Sequence, residues 1–90
     1  MTNMAHVVAT DRTATQSEVL AAREDLLELG NELGLTGLRV LADGTVVAHV
    51  DEPSYRAVKR YATEASRRVG VWVNVIRDDV PAAEAPAEAL

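Results

Sequence analysis

Asp43-Gly44 stands between two runs of β-forming residues, and this turn limits the fold more than any other local feature. Residues 38–41 and 45–50 are rich in Val, Leu and Thr, and Asp-Gly accepts the positive φ of a tight hairpin. The two runs are predicted as an antiparallel pair. A helical pattern follows, and then a third β-rich run over residues 71–76. A helical crossover joins strands that run parallel in one sheet. A hairpin followed by a crossover calls for an antiparallel or mixed sheet with helices packed on one face.

The first helix is announced by Thr15 with Glu18 three residues later, or by Ser17, as the N-cap. Val19, Ala22, Leu26, Leu29 and Leu33 recur at helical spacing, and Leu20 and Leu27 widen the stripe. Glu24, Glu28 and Glu32 form a row opposite, and Gly34 is placed to end the helix. The second helix begins near Pro53, with Asp51 and Glu52 beside the positive end of its dipole. Its buried stripe is predicted as Tyr55, Val58, Ala62, Ala65 and Val69, and Gly70 ends it.

The expected fold is a small α+β two-layer sandwich with two helices on one face of the sheet. Its order is α-β-β-α-β, or ferredoxin-like β-α-β-β-α-β if residues 5–10 supply a first strand. Residues 1–15 are read as a flexible N-terminus or that short strand, and residues 16–79 as a single domain. Residues 80–90 hold two prolines among Ala and Glu, and are read as a disordered tail.

Ninety residues suffice for one small core. No apolar run is long enough to span a membrane, and the N-terminus lacks the pattern of a signal peptide, so a cytoplasmic location is expected. The absence of cysteine removes disulfides, thiolate metal sites and thiol nucleophiles. A net charge of −5 argues against general nucleic-acid binding and against anionic membranes.

Alternation along the strands yields the main functional expectation. Val71, Val73 and Val75 point to one face, and Trp72, Asn74 and Ile76 to the other. With the valines under the helices, Trp72, Asn74, Ile76, Leu41, Val47 and His49 share a face that no helix covers. An uncovered apolar sheet face is usually an interface. These six residues are the candidate partner-binding set.

Other constellations are weaker. Asp51, Glu52, Asp78 and Asp79 gather at one sheet edge, where they read as solvated turn residues more readily than as cation ligands. His6 and His49 meet at one end of the sheet only in the ferredoxin-like pairing. No metal and no cofactor are expected. No nucleophile elbow and no phosphate-cradling glycine loop is present. Arg56, Lys59, Arg60 and Arg67 form a basic face on the second helix, read first as solvated, with pairing to the glutamate row of the first helix, and otherwise as a contact for an acidic protein partner or for nucleic acid.

From the first helix to Ile76 the order of elements resembles that of minimal nucleotidyltransferase domains. The Gly-Ser turn and paired aspartates that define that family are absent, so no membership follows. The sequence points to a non-catalytic protein-interaction module: a homodimer, an inhibitor or an accessory subunit. The alternatives are a dimeric ferredoxin-like enzyme with a His49-based site, and a nucleic-acid-binding accessory factor using the basic helix face.

Overall fold

The computed structural model describes residues 9–51 and 55–90. The elements are β1 (Ala9–Thr13), α1 (Gln16–Ala21), α2 (Arg23–Leu33), β2 (Leu35–Leu41), β3 (Val46–Val50), α3 (Tyr55–Val69), β4 (Val71–Trp72), β5 (Val75–Arg77), a 3-10 turn (Pro81–Glu84) and β6 (Ala87–Ala89). His6, Glu52 and Pro53 lie outside the described residues. The first strand falls at Ala9–Thr13, later than residues 5–10, and takes in residues expected to be loop.

Thr15 caps α1 through the expected capping box, its hydroxyl accepting from the Glu18 N–H while the Glu18 carboxylate accepts from the Thr15 N–H. The Arg12 guanidinium grips the same carboxylate at 2.7 and 3.0 Å. Its contact, with help from the Thr15 N–H, holds the Glu18 carboxyl down to about 2. The helix predicted as continuous to Gly34 breaks at Ala22, whose N–H turns back to Val19 (3.1 Å) before the Leu26 N–H resumes helical bonding to Ala22 (3.0 Å). Gly34 ends α2 in the left-handed conformation, at φ 79°.

Four strands form one mixed sheet in the order β5-β3-β2-β6, and β1 pairs in parallel with β4. β2 and β3 form the expected hairpin, and β5 lies parallel to β3 with Val46 opposite Val75 and Ala48 opposite Arg77. The hairpin turn needs glycine at 44: φ is 91°, and a Cβ there would run into the Ala14 carbonyl. The α+β sandwich is as expected. The described strands give β1 a ladder with β4 and none with β3, so ferredoxin-like pairing is not established.

Val19, Leu26, Leu29, Leu35, Leu38, Val40, Val46, Ala48, Tyr61, Ala65, Val71 and Val73 form the main core between helices and sheet. α3 departs from prediction in one respect. Tyr61, not Tyr55, is its buried aromatic, and its hydroxyl donates to the Leu26 carbonyl at 2.8 Å. Burial pushes that phenol upward from its ordinary value, which keeps it a donor. The third β-rich run is interrupted after Trp72. There the buried Ser66 hydroxyl donates to the Ala62 carbonyl (2.6 Å) and accepts from the Val73 N–H (2.8 Å), which locks the link between β4 and β5 to α3.

The largest correction concerns the C-terminus. Residues 80–90 do not hang free. Ala83 is 1% exposed and packs with Leu41 and Val47 on the face opposite the helices, with Val80 and Ile76 alongside. β6 adds to β2 with Ala87 opposite Leu41 and Ala89 opposite Arg39. Arg39 donates to the Ala83 carbonyl at 2.6 Å, and Arg23 to the Ala89 and Leu90 carbonyls at 2.9 and 3.2 Å. Composition misleads here because the segment is held through its backbone on an open strand edge and through a few small side chains, Ala83 and Val80 among them, that fit a patch built by distant residues.

Two outcomes follow. Deleting residues 81–90 uncovers Leu41 and Val47, each worth roughly 1.5–3 kcal/mol of burial. The melting temperature should fall by about 10 °C or more, and an unchanged melt would show that the tail does not cover this face. Ser66→Ala orphans the buried Val73 N–H and should cost about 1–3 kcal/mol in denaturant unfolding.

Candidate partner-binding surface

The sequence grouped Leu41, Val47, His49, Trp72, Asn74 and Ile76 on one uncovered face, and the structure separates them into three sets. Leu41 and Val47 are 6% and 0% exposed beneath Ala83, so neither can meet a partner. Ile76 is partly buried against the same cluster. The physical reason is that this face has a cover supplied by the chain itself. His49 sits apart, at the C-terminal end of β3.

Trp72 and Asn74 remain exposed, but on a groove flanked by α3 and not on a helix-free face. The floor of that groove is Val58, Ala62 and Val75, and Tyr55 stands at its end. Trp72 is 36% exposed and Tyr55 79%. Tyr55 was missed as a surface residue because it is in phase with Val58 and Ala62. Periodicity reports which way a side chain points from its helix, not whether the sheet extends beneath it. Here Tyr55 lies over the sheet's outer edge, beside Val75, Ile76 and Arg77.

The basic face of α3 adjoins this groove. Arg56, Lys59, Arg60 and Arg67 line one shallow depression, and Lys59 also walls the groove beside Trp72. Arg67 pairs with Glu64 at 2.9 Å, one turn back on the same helix. Pairing with the glutamate row of the first helix is confined to Arg68, which reaches Glu32 at 4.0 Å and the Asp25 carbonyl at 3.0 Å. Among the described residues no carboxylate neutralises Arg56, Lys59 or Arg60. The local potential is therefore positive on a chain that is acidic overall.

Asp51, Asp78 and Asp79 gather at one sheet edge, with Glu52 outside the described residues, and His49 joins them there, which the sequence did not lead us to expect. Its Nδ1 lies 2.9 Å from Asp78 and its Nε2 3.3 Å from Asp51, while Asp79 pairs with Arg77 at 3.0 Å. These groups and Val50 line a cavity of about 210 Å³ at the ends of β3 and β5. Among the described residues no group of His, Asp or Glu is placed to hold a metal ion. Carboxylates occupy both ring nitrogens, which suits a tethered imidazolium better than a general base needing one nitrogen open to substrate.

The Asp78 hydrogen bond and charge, with a smaller contribution from Asp51, raise the His49 pKa above 6.5. The folded protein therefore binds this proton more tightly than the unfolded chain. The contribution to stability is complete below about pH 6.5 and is lost as pH rises through the folded-state value. Proton-detected titration of His49 should give a midpoint above 6.5, and His49→Gln should flatten the decline in melting temperature as pH rises above about 6.5. A midpoint at or below 6.5 would mean that the Asp78 contact does not persist in solution.

No helix among the described residues is long and apolar enough to cross a membrane. No protein-family model matches the chain, and searches of curated proteins and of solved structures find no significant match.

Proposed function

We propose that this chain is a small non-catalytic protein-interaction module that binds through the groove between α3 and the β4–β5 segment. The observation that carries the reading is the pairing of two large exposed aromatics, Tyr55 and Trp72, across one apolar-floored groove. Tyr and Trp are the residues most often found to dominate interface energetics, because each buries a large rigid surface and keeps one polar group for hydrogen bonding. The adjoining charges on α3 supply the rim, and rim charge tunes association rate and partner choice more than affinity. The partner is a different protein or a second copy of this chain.

A nucleic-acid reading draws on the same surface, since aromatic side chains beside a basic row can stack bases. The net charge of −5 opposes it, because non-specific binding to a polyanion depends on positive charge. The tethering of His49 by two carboxylates weighs against the enzyme reading.

The test compares immobilised wild-type chain with the Tyr55→Ala/Trp72→Ala double variant in a lysate of the native source. At least one protein should be retained by the wild type and lost from the variant, with affinity reduced roughly thirtyfold, or about 2 kcal/mol. The variant should still melt cooperatively near the wild-type temperature. Identical retention by both proteins, or collapse of the variant's fold by about 3–5 kcal/mol as for a core aromatic, would refute the reading.

A further inference from the structure

β5 has one engaged edge and one open edge. The Asn74 carbonyl accepts from the Val46 N–H at 2.8 Å, and the Asp78 N–H donates to the Ala48 carbonyl at 3.0 Å. In a strand the main-chain groups of alternate residues face the same neighbour, so residues 74, 76 and 78 face β3. Val75 and Arg77 then present their N–H and C=O to the other side. Val73, which faces that side too, has its N–H satisfied by Ser66. β5 is the end strand of the sheet among the described residues. Such an edge is a template for another strand unless it is blunted.

The two sheet edges are not equivalent. β6, the opposite edge, is an exposed Ala-Glu-Ala strand. The open side of β5 instead borders α3. Two depressions lie along it, of about 130 and 210 Å³, and both are walled by Tyr55, Val58 and Val75. A cavity of roughly 150 Å³ holds a benzene molecule, so each depression suits a single side chain and neither suits a large ligand. Side chains two residues apart on a strand are roughly 6.5 Å apart and point the same way. A pair of side-chain-sized depressions beside an open edge is what strand addition requires, with backbone bonds giving affinity and pockets reading alternate residues. Lys59 walls the groove, and Arg56 and Arg60 lie with it in the adjoining depression on α3; none of the three has a carboxylate partner among the described residues, so the complementary segment is acidic.

We propose that the open edge of β5 takes an extended acidic segment of a partner protein as an added strand. Two of its apolar side chains, at alternate positions, seat in the depressions walled by Tyr55, Val58 and Val75, and flanking Asp or Glu residues face α3. This inference rests on the interaction-module reading and specifies the kind of partner.

The experiment selects a displayed library of random eight-residue peptides on the full-length chain, then follows the enriched peptides by amide exchange. Enriched sequences should carry apolar residues two apart beside Asp or Glu. Bound peptide should slow exchange at the Val75 and Arg77 amides roughly tenfold or more, with little change at Ile76, which already faces β3. N-methylation of the peptide backbone at alternate positions should abolish binding. Lys59→Glu/Arg60→Glu should weaken it roughly tenfold, and added salt should weaken it as well. The proposal falls if no peptide is enriched, if the enriched peptides are basic, or if methylation leaves binding intact. It falls also if a single-stranded oligonucleotide displaces the peptide more effectively than acidic peptides do, or if Val75 and Arg77 become protected by raising the concentration of this chain alone. A lysate partner lost from the aromatic double variant, together with no protection at Val75 and Arg77, would sink strand addition and leave the module reading standing.

Discussion

The central strands of this sheet are apolar on both faces, and the rest of the structure answers to that fact. Val40, Val46 and Ala48 need cover on one side, and Leu41 and Val47 on the other. The helices satisfy the first face. The segment after β5 covers the second with small groups: Val80, Ala83 and a short strand. Small side chains permit close approach, so a segment with almost no hydrophobic bulk can seal Val47. Arg39 and Arg23 complete the seal by donating to carbonyls that the turn and the terminus leave unpaired within their own segments.

This arrangement also decides where a partner can bind. Once β6 has added to β2, the exposed sheet edges are the short β6 itself and β5. The buried Ser66 hydroxyl ties the link between β4 and β5 to α3, accepting from the Val73 N–H and donating to the Ala62 carbonyl of the helix. The distance between helix and strand, and hence the groove, is therefore set by a hydrogen-bonded contact that stays dry. Arg56, Lys59 and Arg60 of α3 have no carboxylate partner among the described residues, because the glutamate row of the first helix reaches α3 only at Arg68 and Glu64 is taken by Arg67.

Local signals were readable where the physics is local. Thr15 with Glu18, Gly34, Asp43-Gly44 and Gly70 each set a boundary through a cap or a backbone conformation that neighbouring residues alone decide. The basic face of α3 was readable for the same reason, since helical geometry fixes which residues share a side. The candidate site was readable in part. Trp72 and Asn74 are exposed, but through an interruption of the strand at Val73 and against a helix flank, where simple alternation had put them with Leu41, Val47 and Ile76.

Three outcomes lay beyond the chain's local pattern. Tyr55 is exposed because helical phase does not say where the sheet beneath the helix ends, whereas Tyr61, in phase with Val58, Ala62 and Ala65, belongs to a buried stripe predicted without it. Residues 80–90 became structure because their stabilisation comes from an edge and an apolar patch built by distant residues, and composition measures only what a segment brings itself. His49 met Asp78 because β3 and β5 run parallel and finish together. The sequence by itself determined the caps, the hairpin, the helix faces and the mixed α+β architecture, all consequences of neighbours within a few residues. Tertiary structure alone decided which apolar surface was sealed and which edge stayed open, because both depend on where the end of the chain comes to rest.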